Sequence, residues 1–151
     1  MGLLTRRETL RVGAGLGAAF GCVLLGAPAV ARPEVDEIVA AFTGGRTPDT
    51  AGITLDVPVL ADNANAVTIA VRIDEPMTDE FFCEELVLIT EANPRPLAAT
   101  FRFSPRVGVA DVAVRLRFAE TQHVVALARM SDGQILGDRR EVTITGGGCG
   151  W

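Results

Sequence analysis

Val67-Thr68-Ile69-Ala70-Val71-Arg72-Ile73 alternates apolar and small or polar side chains over seven positions. Successive side chains of a strand point to opposite faces, so this period of two is the mark of a half-buried β-strand. The residues before it repeat the theme, since Ile53, Leu55 and Val57 alternate with Thr54 and Asp56. Pro58 then marks an edge or bulge, because it has no N–H to give a ladder, and Asp62-Asn63-Ala64-Asn65 makes a turn.

After Ile73 the pattern continues. The acidic stretch Asp74-Glu75-Pro76-Met77-Thr78-Asp79-Glu80 connects to a strand over residues 86–90. Asn93-Pro94-Arg95-Pro96 turns the chain back into a strand over 97–103, with Leu97, Ala99, Phe101 and Phe103 on one face. Val112, Val114, Leu116 and Phe118 alternate with Ala113, Arg115 and Arg117. The more continuous apolar run 124–130 suits burial on both faces, Ser131-Asp132-Gly133 signals a hairpin, and Val142-Thr143-Ile144-Thr145 is a last strand. About seven short strands at turn-separated intervals predict an all-β, Ig-like antiparallel β-sandwich. Two spaced cysteines around a tryptophan, the antibody-domain signature, are absent.

In front of the sheet lies a helical period. Val35, Ile38, Val39 and Phe42 fall at i, i+3, i+4 and i+7, Pro33 suits a first turn, Glu34, Asp36 and Glu37 favour its N-terminal end, and Gly44-Gly45 stops it. So short a helix with one apolar stripe must dock on the sheet.

Residues 1–31 read as a leader and not as fold. Thr5-Arg6-Arg7-Glu8-Thr9-Leu10-Arg11 supplies a twin-arginine region, an apolar Gly- and Ala-rich run follows, and Ala29-Val30-Ala31 fits an A-x-A cleavage site before Arg32-Pro33. The run is short and broken by glycine, which argues against a membrane anchor. Cys22 has a poor lipobox before it and leaves with the leader. The expected organisation is therefore a twin-arginine signal over 1–31, the β-domain over 32–145 and a Gly-rich tail over 146–151, in a protein exported to the periplasm. The leader carries Arg6, Arg7 and Arg11 against Glu8, so the chain's net charge of −5 becomes −7 in the mature protein. Such an acidic domain is a poor partner for nucleic acid or an anionic membrane.

The chemistry concentrates in the tail, Gly146-Gly147-Gly148-Cys149-Gly150-Trp151. Glycine has no Cβ, so a thiol on this tether is on a thin, flexible arm able to enter another protein's cleft. Elsewhere the signals for an enzyme are thin. His123 is the one histidine, no Cys-x-x-Cys or His-x-x-x-His spacing occurs, and Glu75, Asp79, Glu80, Glu84 and Glu85 lack calcium-loop spacing. No metal site or cofactor is expected. Two readings of Cys149 stand. In one it bonds to Cys83 and staples an exported binding module, worth about 4 kcal/mol on loop-entropy grounds. In the other it is an exposed thiolate that carries a sulfur adduct between partners, with Cys83 a buried hydrophobe or the other half of a regulatory disulfide.

The leader, Glu75-Pro76-Met77-Thr78, Asn93-Pro94-Arg95-Pro96, Arg115-Leu116-Arg117 followed by Thr121-Gln122, Met130-Ser131-Asp132-Gly133 and the closing Val142-Thr143-Ile144-Thr145-Gly146-Gly147-Gly148-Cys149-Gly150 together resemble the SoxY family. These are sulfur carriers of the periplasmic thiosulfate-oxidising system. The resemblance implies an Ig-like carrier, not an enzyme, with Cys149 as the covalent attachment site and Gly146, Gly147, Gly148 and Gly150 as its arm. It also implies a SoxZ-like β-sandwich partner in a heterodimer. A c-type cytochrome would conjugate the substrate, a dimanganese hydrolase release sulfate, and a molybdenum and haem sulfane dehydrogenase oxidise the remaining sulfur. All cofactors would belong to these partners. Trp151 departs from the family tail, which usually ends in glycines, and adds bulk at the tip.

Overall fold

A computed structural model describes residues 33–146. Within them a helix, α1 (Pro33–Thr43), precedes eight strands: β1 (Ile53–Asp56), β2 (Leu60–Ala61), β3 (Val67–Ile73), β4 (Cys83–Thr90), β5 (Leu97–Arg102), β6 (Asp111–Leu116), β7 (Gln122–Met130) and β8 (Ile135–Ile144). They form two sheets, β1-β3-β6 and β2-β8-β7-β4-β5. This is the all-β sandwich that the alternating runs predict.

The alternation is what makes the core. Ile53, Leu55, Val67, Ile69, Val71 and Ile73 of the smaller sheet face Leu86, Leu88, Val124, Ala126, Ala128 and Met130 of the larger one, all buried. β4 and β7, in the interior of the larger sheet, are apolar on both faces because α1 covers the outer one. Val35, Ile38, Val39 and Phe42 pack there on Val87, Ile89, Val125 and Leu127. Arg129 extends the contact, its guanidinium 4.5 Å above the Phe42 ring and donating to the Phe42 carbonyl at 3.1 Å. Gly44 and Gly45 take φ of 63° and 78°, a region open to glycine, and end the helix as expected.

Three features differ from the sequence reading. β2 is an additional strand, and its pairing to β8 is parallel, through Leu60 to Thr143 and Ala61 to Ile144. The chain leaves the smaller sheet at Pro58, which cannot extend the β1 ladder, and crosses to the edge of the larger one. β8 begins at Ile135 and not at Val142, because Asp138-Arg139-Arg140-Glu141 hides the strand from an apolar count. Backbone pairing to β7 carries it, and its charges are solvated or paired, with Arg139 clasping Glu91 at 2.7 and 2.8 Å. β4 begins at Cys83, ahead of Leu86, and its acidic second and third residues interrupt the alternation at a register shift. Glu85 there meets Arg102 at 3.2 Å and Arg129 at 3.5 Å.

Candidate functional site

The described fold ends where the tail begins, and that root is fixed. β8 is held on both sides up to its last residues. Thr143 N–H donates to the Val59 carbonyl at 3.0 Å, Thr145 N–H to the Ala61 carbonyl at 2.9 Å, and Ile144 N–H to Thr121 Oγ1 at 2.9 Å. The Thr145 hydroxyl also reaches the Ala61 carbonyl, at 3.3 Å. Gly146 then passes so near Asp62 that a Cβ built on it would overlap the Asp62 carbonyl oxygen. Glycine at 146 is thus a requirement of packing at the root. Replacing Gly146 by alanine is expected to push the Ala61–Asp62 backbone outwards and lower stability by about 1–3 kcal/mol, the usual cost of overpacking, checked by denaturant unfolding. Gly147, Gly148, Cys149, Gly150 and Trp151 lie outside the described residues, as does the leader 1–31.

Of the residues that hold the root, the sequence reading does not name Val59 and Ala61, and it gives Asp62 only as part of a turn and Thr121 only as part of a motif. Their role rests on backbone groups and a hydroxyl, which carry no residue-type signature. Only Pro58 and the Thr121-Gln122 pair hint at the place.

The second candidate, Cys83, is far from this root. It opens β4 opposite Met130, whereas Val142 lies opposite Gln122, so the two ends are separated by the length of β7. Eight residue steps at a strand rise of about 3.3 Å put them roughly 26 Å apart. Cys83 is wholly buried, its N–H facing Met77 Sδ at 3.3 Å and its Sγ the Glu85 carbonyl at 3.7 Å. Burial is the main reason its pKa rises from 9.0 to about 11, with the Glu84 charge adding to the rise and the Glu85 carbonyl contact opposing it.

A buried, protonated thiol is a poor nucleophile. Iodoacetamide at neutral pH should therefore leave Cys83 unmodified in the native protein and alkylate it on unfolding. The same shift gives a pH dependence. The unfolded thiol ionises near 9 while the native one holds its proton to about 11, so deprotonation favours unfolding across that window. The contribution is complete below pH 9 and lost as pH rises to 11; equilibrium unfolding should show this slope, and Cys83→Ala should remove it.

Among the described residues no three His, Cys, Asp or Glu side chains converge to hold a metal ion. His123 sits on β7 with Nδ1 3.7 Å from Glu91 Oε2, beside a carboxylate that Arg139 already engages in two hydrogen bonds. The acidic residues 75–85 do not gather either; Glu85 is bound to arginines and Glu75 lies against Gly52. Asn93 has a structural task. Its amide donates to the Arg117 carbonyl at 2.7 Å and its Oδ1 accepts from Ala119 N–H and Gln122 Nε2, tying the Asn93–Pro96 turn to the crossing between sheets.

The model of the family described as "Sulfur oxidation protein SoxY" matches residues 39–149, a span that runs from α1 through Cys149. The chain belongs to the SoxY family. Among solved structures, the sulfur carrier protein SoxY from Chlorobium limicola f thiosulfatophilum is similar with a TM-score of 0.60 and 27% identity, over 75% of this chain and 97% of that one. Superoxide reductases share the fold alone. The neelaredoxin of Ignicoccus hospitalis has a TM-score of 0.52 at 17% identity, covering 63% of this chain and 81% of its own. A putative superoxide reductase from Thermotoga maritima has 0.53 at 13%, covering 68% and 89%. No curated protein matches the chain. The SoxY match extends past the last described strand, through Gly146, Gly147 and Gly148 to Cys149.

Proposed function

We propose that this protein is a periplasmic carrier that holds thiosulfate-derived intermediates covalently on Cys149 and presents them to partner enzymes, without catalysing their turnover itself. The observation that carries the reading is the continuity of the SoxY match through Cys149, three residues beyond a root that both flanks of β8 hold in place. A fixed root and a Gly-rich reach give a thiol a defined sweep. From Gly146, three residues extend at most about 11 Å, so Cys149 stays near this end of the sandwich.

The loading step balances as an oxidation. The Cys149 thiol loses its proton, its sulfur bonds to the sulfane sulfur of thiosulfate, and two electrons leave to a c-type cytochrome. The product is a Cys149-bound S–S–SO3 group. Hydrolysis by a dimanganese enzyme would release sulfate and leave a persulfide, which a molybdenum and haem sulfane dehydrogenase would oxidise. Export by the twin-arginine route, with cleavage after Ala31, places the chain in the compartment of these partners. A SoxZ-like subunit completes the assembly, and the core-facing residues Phe101, Phe103, Val112, Val114 and Leu116 along edge strands β5 and β6, only partly buried, support an uncovered seam for it.

The same reach weighs against the stapled-module alternative. About 11 Å of chain does not bridge roughly 26 Å to Cys83. Thermal unfolding with and without reductant tests it. The carrier reading expects equal midpoints, whereas loss of a native staple would cost about 2–5 kcal/mol.

A further inference from the structure

Strand β8 outruns its antiparallel partner at the end where the tail begins. β7 opens at Gln122, opposite Val142, so the ladder stops two residues short of Ile144. Continuing that register would set Glu120 opposite Ile144 and make its carbonyl the next acceptor. That carbonyl is engaged elsewhere, accepting from Gln122 Nε2 at 3.2 Å. The N–H groups of Thr143 and Thr145 go to Val59 and Ala61, so the N–H of Ile144 points to the β7 side, where it donates to Thr121 Oγ1 at 2.9 Å. A side-chain hydroxyl thus stands in the ladder in place of a backbone carbonyl.

The crossing that presents this hydroxyl is pinned residue by residue. The Arg117 carbonyl accepts from Asn93 Nδ2 at 2.7 Å, Phe118 N–H donates to the Ala64 carbonyl at 2.8 Å, and Ala119 N–H donates to Asn93 Oδ1 at 3.0 Å. Gln122, 5% exposed, closes the set. Besides reaching Glu120, its Nε2 donates to Asn93 Oδ1 at 2.9 Å, and its Oε1 accepts from Ala92 N–H at 2.7 Å. A buried amide with both donors and its oxygen engaged fixes the backbone around it. Thr121 is exposed, so the core does not need its hydroxyl; among the described residues that hydroxyl's only bond is the one to Ile144.

We propose that Thr121 is a positioning residue for the carrier arm: among the described residues its hydroxyl is the only hydrogen-bonding hold on the β7 flank of β8 beyond Val142, and it sets the line on which the arm leaves the sandwich. The hold itself stands on the hydrogen bonds; its consequence for loading rests on the carrier reading. Without the hydroxyl, the end of β8 is kept by the side of β2 alone, a strand of two residues, and pivots there. A root that pivots lowers the fraction of encounters in which the arm meets a partner's cleft correctly, and leaves the thiol's own chemistry as it was.

Hydrogen exchange followed by NMR on the purified full chain reads the hold. Thr121→Val keeps the side chain's shape and removes the acceptor, so the Ile144 amide should exchange several-fold faster while the amides in the middle of β4 and β7 keep their protection. Thr121→Ser retains a hydroxyl and should restore slow exchange. Thr145→Val is the control: it also deletes a hydroxyl at the root but keeps the Thr145 N–H on the Ala61 carbonyl, and should leave Ile144 unchanged. In loading with thiosulfate and the cytochrome partner, Thr121→Val should raise the carrier concentration for half-maximal rate several-fold, with the maximal rate little changed and alkylation of Cys149 by iodoacetamide as fast as before. Unchanged exchange at Ile144 in Thr121→Val overturns the proposal, as does faster exchange that Thr121→Ser fails to reverse, or a half-saturating concentration that stays in place while exchange rises. Absence of any adduct on the unaltered chain, with the exchange results as expected, would overturn the carrier reading and leave Thr121 as the hold on β8.

Discussion

Replacing Cys149 by serine is expected to abolish the reductant-labile sulfur adduct altogether while leaving the unfolding midpoint unchanged. A hydroxyl has neither the acidity nor the nucleophilicity of a thiol and forms no stable bond to a sulfane sulfur. The fold should not notice, because the described core lies within residues 33–146 and the hydrogen bonds that fix the tail root end at Thr145 or earlier. Cys83→Ala divides the other way. Its loss removes a small buried side chain and costs about 1 kcal/mol, but loading at Cys149 continues. Mass spectrometry after incubation with thiosulfate and the cytochrome partner, alongside thermal unfolding, reads both. A Cys149→Ser protein that fails to fold would contradict the account.

The largest effect on stability is expected at Phe118. Its ring is buried between the sheets, 2% exposed, in the crossing from β6 to β7, and its N–H donates to the Ala64 carbonyl at 2.8 Å. The residue thus joins the crossing to the turn that leads into β3, the decisive strand. Phe118→Ala removes a buried aromatic and leaves a cavity that rigid strands on both sides cannot close, costing about 3–5 kcal/mol. For a domain of this size the midpoint should fall by roughly 10–20 °C. Calorimetry checks it. Adduct formation by the fraction that remains folded should be unchanged, which separates this variant from Cys149→Ser.

The elements readable from sequence are those whose packing is carried by side chains. α1 is legible because its stripe and its Gly44-Gly45 stop coincide, β3 because it alternates without interruption, and the β7–β8 hairpin because Ser131-Asp132-Gly133 has the residues that turn demands. The elements that escape are carried by backbone. β2 is two residues held by parallel pairing to β8, and the first half of β8 is a charged stretch whose place in the sheet comes from β7 and from Asp49, whose N–H donates to the Ile135 carbonyl while its own carbonyl accepts from Gly137. Neither leaves an apolar period. The antiparallel expectation therefore fails at one edge, and that edge is where the tail departs.

The site divides along the same line. Cys149 and its glycines are conspicuous as residues, so the attachment position can be proposed from sequence. The clamp that roots the arm cannot, since it consists of the Val59 and Ala61 carbonyls, the Thr121 hydroxyl and a close passage past Asp62. In sequence Gly146 is one more arm residue. Its packing gives it a second, steric reason to be glycine. For Cys83, sequence leaves a staple and a core residue both open; the strand register weighs between them by distance.

The most direct test of the carrier account is the mass of the tail peptide from protein isolated out of thiosulfate-grown cells, before and after reduction. The account predicts added sulfur on Cys149, removed by reductant, with Cys83 recovered as an unmodified thiol. A tail peptide linked by disulfide to the Cys83 peptide of the same chain would contradict it.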